Sequence, residues 1–79
     1  MNLGRRLKKL RIKNNLTQND VAQFLSVDRT IVTKYENNTL VPNDKTLYKL
    51  SVLFKVEKNE LIYFKVYDIF IIVIFLLNI

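Results

Sequence analysis

The sequence predicts an all-α domain of five short helices followed by a hydrophobic C-terminal extension. Three observations support this. Apolar residues recur three or four positions apart in four successive segments. A Thr, Asp or Asn able to cap a helix stands before the second, third and fourth of them. Beyond the last, nine apolar residues run without interruption from Ile69 to Leu77.

The first helix is expected over residues 2–13, with Leu3, Leu7 and Leu10 on one face. Arg5, Arg6, Lys8, Lys9, Arg11 and Lys13 surround that face, and Asn14 and Asn15 end the helix. Thr17 then caps a second helix over 17–25 through a hydroxyl that accepts from an orphan amide. Asp20 stands where a capping box has Glu, and Val21, Ala22 and Leu25 form the apolar face. After the turn at Ser26 and Val27, Asp28 caps a third helix over 28–37 with Ile31, Val32 and Tyr35 inward. Asn37 and Asn38 end it, and the following loop contains Pro42. Asn43 caps a fourth helix over 44–54, with Leu47, Leu50, Leu53 and Phe54 on one side. A fifth starts near Glu57 and runs through Leu61 and Ile62.

Composition narrows the function classes. A chain of 79 residues with 49% hydrophobic content makes one small domain. At that size folding buries roughly 60–65% of the surface of the unfolded chain, so a partner is a natural source of added stability. With no Cys and no His, disulfides, thiolate or imidazole metal sites and Ser-His or Cys-His pairs are excluded. A single Gly rules out a glycine-rich phosphate loop. Asp20, Asp28, Glu36, Asp44, Glu57 and Glu60 read as caps, helix-end charges or ion-pair partners, so no enzyme activity and no cofactor is expected. The net charge of +6 points to a polyanionic partner, nucleic acid or an anionic membrane surface.

Two short helices joined by a tight turn, the second polar at its start and apolar inside, match the unit that places a helix in the major groove. The run Leu16-Thr17-Gln18-Asn19-Asp20-Val21-Ala22-Gln23-Phe24-Leu25-Ser26-Val27-Asp28-Arg29-Thr30-Ile31-Val32-Thr33-Lys34-Tyr35-Glu36-Asn37 resembles the Cro and lambda-repressor-type helix-turn-helix family, also called the XRE family. Leu3 to Arg11 is similar to that family's first helix, Pro42 to Leu50 to its fourth, and Val56 to Ile62 to its closing turn. The resemblance spans residues 3–62 and implies a lambda-repressor-like DNA-binding domain over residues 1–62.

On that resemblance, Arg29, Thr30, Thr33 and Lys34 of the third helix are the expected base readers. An Arg can donate two parallel hydrogen bonds to guanine, and a Thr can offer its hydroxyl or set its methyl against thymine. Thr17, Gln18, Asn37 and Asn38 are the expected phosphate contacts, the first two helped by the free amides of a helix start. Arg11 and Glu36 occupy positions that in this family form an architectural ion pair. The sequence departs from the family pattern at five places. Ser26 and Asn38 stand where Gly is usual, and Ile31 replaces a small polar residue, so it is either added core, with partial burial the leading expectation, or an apolar contact to a thymine methyl. Ser51 for Ala and Lys55 for Gly are expected to weaken packing and the helix stop of the fourth helix.

The hydrophobic tail, residues 63–79, is not something a DNA reader needs. It is short for a membrane span, which takes about 20 mostly apolar residues, and it contains Lys65 and Asp68. Its Ile, Val and Phe content suits a homodimer contact, as a paired strand or a buried helix, then membrane association, with an aggregation-prone remnant of a longer protein as the third alternative. The leading expectation is a cytoplasmic, sequence-specific transcriptional regulator, a repressor, that binds double-stranded DNA as a homodimer. The rival is an antitoxin-like or membrane-tethered interaction protein built on the same scaffold.

Overall fold

Asn2, Thr17, Asp28 and Asn43 each hold extended backbone, and each side chain accepts a hydrogen bond from an amide of the turn that follows. These caps satisfy donors that a helix start leaves orphaned. They open α1 (Leu3–Lys13), α2 (Gln18–Leu25), α3 (Arg29–Glu36) and α4 (Asp44–Phe54). The computed structural model describes residues 2–61 and 73–78. Within those residues the protein is all-helical, and each helix lies within a residue of its expected bounds once Thr17, Asp28 and Asn37 are counted as caps.

At Thr17 the capping box is complete despite the Asp. Asp20 N–H donates to Thr17 Oγ1 at 3.0 Å, and Thr17 N–H donates to Asp20 Oδ2 at 2.8 Å. The Thr17 amide, and after it the Thr17 hydroxyl, hold the Asp20 carboxyl below its ordinary value of 3.8. Asp28 is lowered in the same way by the Thr30 amide and hydroxyl, with a further contribution from the Arg29 charge. Both carboxyls have a folded pKa below the unfolded one. The stability they lend is therefore fully present above pH 3.8 and is lost as pH falls through the lower folded values. Thermal midpoints are expected to drop below that pH, and less steeply in Asp28→Asn, whose amide oxygen still accepts without titrating.

All four helices stop in the same way, on a left-handed residue that is not glycine: Asn15, Ser26, Asn38 and Lys55 have φ of 58°, 58°, 65° and 58°. In each case the next amide reaches back five residues. Leu16 N bonds Arg11 O at 3.0 Å, Val27 N bonds Ala22 O at 3.0 Å, Thr39 N bonds Lys34 O at 3.0 Å, and Val56 N bonds Ser51 O at 3.0 Å. This closure satisfies carbonyls that a helix end leaves free. Lys55 closes α4 with this bond, and the expected weakness of its stop lies in the left-handed backbone of a residue that is not glycine. Asn enters left-handed backbone more easily than Ser or Lys. Ser26→Gly and Lys55→Gly are expected to stabilise the fold by about 0.5–1 kcal/mol each, the steric relief outweighing the added freedom of the unfolded chain. Urea denaturation midpoints will measure it.

The core sits where α3 packs on both α1 and α2. Leu7 and Leu10 of α1, Val21, Ala22 and Leu25 of α2, and Val32 of α3 are buried with Leu47, Leu50 and Phe54 of α4. The hydroxyl of Ser51, buried beside this core, donates to the Tyr48 carbonyl at 2.6 Å. The expected fifth helix is present as a helical segment over 58–61, closed by Leu61 N to Glu57 O at 3.1 Å. It contributes Leu61 to the core and is tied to the start of α4 by the Lys58–Asp44 ion pair. Ile62 lies outside the described residues, as does most of the tail. Residues 73–77 are helical. Among the described residues, no helix is long and apolar enough to cross a membrane.

Candidate nucleic-acid interface

Two turns of helix cannot present many side chains on one face, so the placement of each residue in α3 matters. Val32 points into the core with 2% exposure, and Ile31 and Tyr35 are half-buried. Thr30 and Lys34 lie on the opposite side of the helix and Arg29 at its start, all exposed. Thr33 is half-buried and turns toward α2. Of the four expected base readers, three therefore face outward and one faces the neighbouring helix. Thr30 is tied to the cap: its amide and hydroxyl both donate to Asp28 Oδ1, at 3.0 and 3.1 Å. Ile31 is partly buried, as its departure from the family pattern suggested.

The expected phosphate contacts lie at both ends of this surface. Thr17 and Gln18 are at the start of α2, the former exposed and the latter half-buried. Asn37 and Asn38 follow the last turn of α3, both exposed. The Asn side chains also have structural duties. Asn37 Oδ1 accepts from the Thr39 hydroxyl at 2.6 Å and its amide at 3.1 Å, which closes the turn after α3. Asn38 Oδ1 accepts from Gly4 N at 3.0 Å, pinning the start of α1 to the end of α3. On α1, Arg5, Lys8, Lys9 and Lys13 remain exposed as a cationic face.

Arg11 and Glu36 form the expected ion pair, with Nε to Oε2 at 2.6 Å and Nη2 to Oε1 at 3.2 Å. The side chains are only 12% and 7% exposed, and the third guanidinium nitrogen, Nη1, donates to the Leu16 carbonyl at 2.9 Å. Sequence reasoning did not foresee the connection that continues from this pair. Gln18 Nε2 donates to Glu36 Oε1 at 3.0 Å, while Gln18 Oε1 accepts from Thr33 Oγ1 at 2.9 Å and from Arg29 Nη1 at 3.4 Å. It also missed the close approach at Gly4, where a Cβ would stand 2.4 Å from the Glu36 carbonyl oxygen and 2.7 Å from that of Tyr35. The only sequence signal for it was that this is the chain's single glycine, placed inside a helix where Gly is otherwise unfavourable.

Comparison with known proteins agrees with this geometry. A helix-turn-helix domain family model matches residues 4–64. The chain is 37% identical over 62 residues to the HTH-type transcriptional regulator ImmR of Bacillus subtilis (strain 168), covering 78% of this chain and 49% of that protein. It is also 37% identical over 62 residues to the HTH-type transcriptional activator BcrR of Enterococcus faecalis, covering 78% of this chain and 30% of that protein. Identity to the ImmF control region 10 kDa protein of Bacillus phage phi105 is 32% over 59 residues, or 75% of this chain and 66% of that one. The chain thus spans about half or less of the length of the first two relatives. Among solved structures, the P22 c2 repressor protein in complex with a synthetic operator superposes with a TM-score of 0.73 at 21% identity, covering 78% of this chain and 94% of that one. At that identity the likeness is one of fold. With the family model covering residues 4–64 and the capped α2–turn–α3 unit in place, the chain belongs to the helix-turn-helix domain family.

Proposed function

We propose that the protein is a sequence-specific, double-stranded DNA-binding transcriptional regulator, a repressor that occupies its promoter as a homodimer without catalysis or a cofactor. The observation that carries this reading is the outward row of Arg29, Thr30 and Lys34 on α3, beside the amide-rich start of α2. Arg29 and Lys34 suit guanine O6 and N7, and Thr30 suits a thymine methyl or an acceptor on a base edge. Thr33 reaches the same groove from its half-buried site. Thr17, Gln18, Asn37 and Asn38 fix the register on phosphates through the protons their internal bonds leave over. The names of the relatives, a regulator, an activator and a phage control-region protein, and the operator-bound P22 c2 repressor favour the same class of function.

Twofold helix-turn-helix dimers span half-sites about 34 Å apart, so the second copy must be held by something. The tail is suited to that role. Val73, Ile74, Phe75, Leu76 and Leu77 are 45%, 42%, 67%, 64% and 79% exposed, and a helix apolar all round needs a partner to bury it. The full chain is expected to sediment as a dimer, and Phe75→Asp with Leu77→Asp as a monomer. Recovery of the full chain with the integral-membrane fraction would replace the dimer role of residues 63–79 with membrane association.

Selection of bound fragments from random duplexes tests the reading as a whole. An inverted repeat is expected, bound with an affinity that falls steeply as salt rises. Arg29→Ala should cost about 1–3 kcal/mol at one half-site position and relax the preference there. Enrichment of no sequence at any salt would leave the antitoxin-like interaction scaffold as the better account.

A further inference from the structure

We infer that Asp28, the N-cap of α3, is a specificity-determining residue: its second carboxylate oxygen selects a base that offers an amino group, cytosine, on or beside the base pair that Arg29 reads. This rests on the reading of α3 as the base-contacting helix, since a recognition helix meets base edges with its N-terminal residues. Asp28 stands directly before that helix and is exposed. Its Oδ1 accepts from both the amide and the hydroxyl of Thr30, at 3.0 and 3.1 Å. The two bonds hold the carboxylate against the first turn. Among the described residues, Oδ2 accepts from no donor.

Capping alone does not call for a charge at this place. Asn, Asp and Ser cap about equally well, and the other three helices are capped by the neutral Asn2, Thr17 and Asn43. The one carboxylate cap thus stands on the helix that meets a polyanion, where it repels phosphates unless a donor faces it. The Thr30 bonds and the neighbouring Arg29 charge keep it ionised, so it can only accept. In the major groove the donors on base edges are the amino groups of cytosine N4 and adenine N6, whereas guanine O6 and N7 and thymine O4 accept. Adenine sets its N7 acceptor beside N6, against a carboxylate, which makes cytosine the better match. Consecutive Cα atoms stand about 3.8 Å apart and stacked bases about 3.4 Å, so the cytosine belongs to the Arg29 base pair or to the next one.

The test uses the full chain and the inverted repeat from the random-duplex selection. Affinities are measured for each of the four bases at every half-site position, for wild type, Asp28→Asn, Arg29→Ala and the double variant. Asp28→Asn keeps a capping oxygen and puts an amide donor in the place of Oδ2. Wild type is expected to prefer cytosine by roughly 10- to 150-fold at one position, the worth of a hydrogen bond to a charged group. Asp28→Asn is expected to lose that preference and to bind better than wild type when guanine or thymine stands there. The cytosine preference that survives in Arg29→Ala is expected to vanish in the double variant. If Asp28→Asn strengthens binding to every duplex alike, or leaves every base ratio unchanged, Asp28 is only a cap and the inference fails while the reading of α3 stands. Loss of all discrimination at that position in Arg29→Ala alone overturns it too. If Arg29→Ala changes no base ratio, the reading of α3 fails and takes the inference with it. Asp28→Ser, which caps without an amide, replaces Asp28→Asn if circular dichroism shows that the latter has lost helix; it is expected to flatten the cytosine preference, and an unchanged preference contradicts the inference.

Discussion

Replacing Glu36 with alanine is expected to destabilise the domain by about 3–5 kcal/mol, the cost of stranding one member of a buried ion pair. The Arg11 guanidinium would keep the Leu16 carbonyl as an acceptor and lose both carboxylate oxygens, in a place where its side chain is 12% exposed. Gln18 would lose its anchor at the same time. A small domain has on the order of 5 kcal/mol of net stability to draw on, so the urea midpoint is expected to fall by more than half. The converse substitution separates this cost from any intrinsic value of the pair. Arg11→Met combined with Glu36→Leu leaves no unpaired buried charge and is expected to recover most of the loss. A Glu36→Ala midpoint equal to that of wild type would mean that water already solvates the pair.

Gly4→Ala is expected to destabilise by about 2–3 kcal/mol, and here the sign alone is informative. Inside a helix, alanine is normally favoured over glycine by about 1 kcal/mol, so a designer working from propensity would expect a gain. The added methyl carbon would lie 2.4 Å from the Glu36 carbonyl oxygen, 2.7 Å from that of Tyr35 and 2.8 Å from Asn38 Oδ1. Two of these atoms are main chain at the end of α3 and cannot swing aside as a side-chain tip can. Relief requires α1 to back away from α3, which stretches the Gly4–Asn38 hydrogen bond and the Arg11–Glu36 pair together. Overpacking of this kind costs about 1–3 kcal/mol, and the two anchors place Gly4 at the upper end. Urea denaturation of Gly4→Ala beside wild type measures it. A more stable variant would mean that the two helix ends stand further apart than described.

These two residues also show where sequence reasoning stops. The helix starts were legible because a cap is a local event: Thr17, Asp28 and Asn43 each act on an amide two or three positions away. The inward faces were legible for the same reason, since Val21, Ala22, Leu25 and Val32 declare themselves by spacing. The family resemblance added the Arg11–Glu36 pair, 25 positions apart, which no local pattern contains. What neither source supplied was the docking of one helix end on another. Gly4 meets Asn38 across 34 positions, and Gln18 meets Thr33 and Glu36 across 15 and 18. Such contacts depend on angles between helices, which the residue types at either end do not encode. Thr33 was accordingly expected on the open face, whereas its hydroxyl serves the α2–α3 junction.

The helix stops were partly readable. Asn15 and Asn38 suit left-handed backbone, and Ser26 was expected to bear that strain because the family has Gly there. At Lys55, where the family also has Gly, the stop forms with the same five-residue return bond as the other three and carries the same kind of strain as Ser26. The energy of that bond and of the adjoining core residues, Phe54 and Leu61, exceeds the roughly 1 kcal/mol of backbone strain at a single residue.

The central claim is that the outer face of α3 enters the major groove, and methylation interference on the selected duplex tests it most directly. Guanine N7 lies in the major groove and adenine N3 in the minor groove, so a methyl group on one or the other reports which groove is filled. Methylation of at least one guanine N7 in each half-site is expected to abolish binding by wild type, with that interference lost in Arg29→Ala, while methyl groups on adenine N3 leave binding intact. Interference confined to adenine N3, or absent at every guanine of the repeat, would contradict the placement of Arg29, Thr30 and Lys34 against base edges.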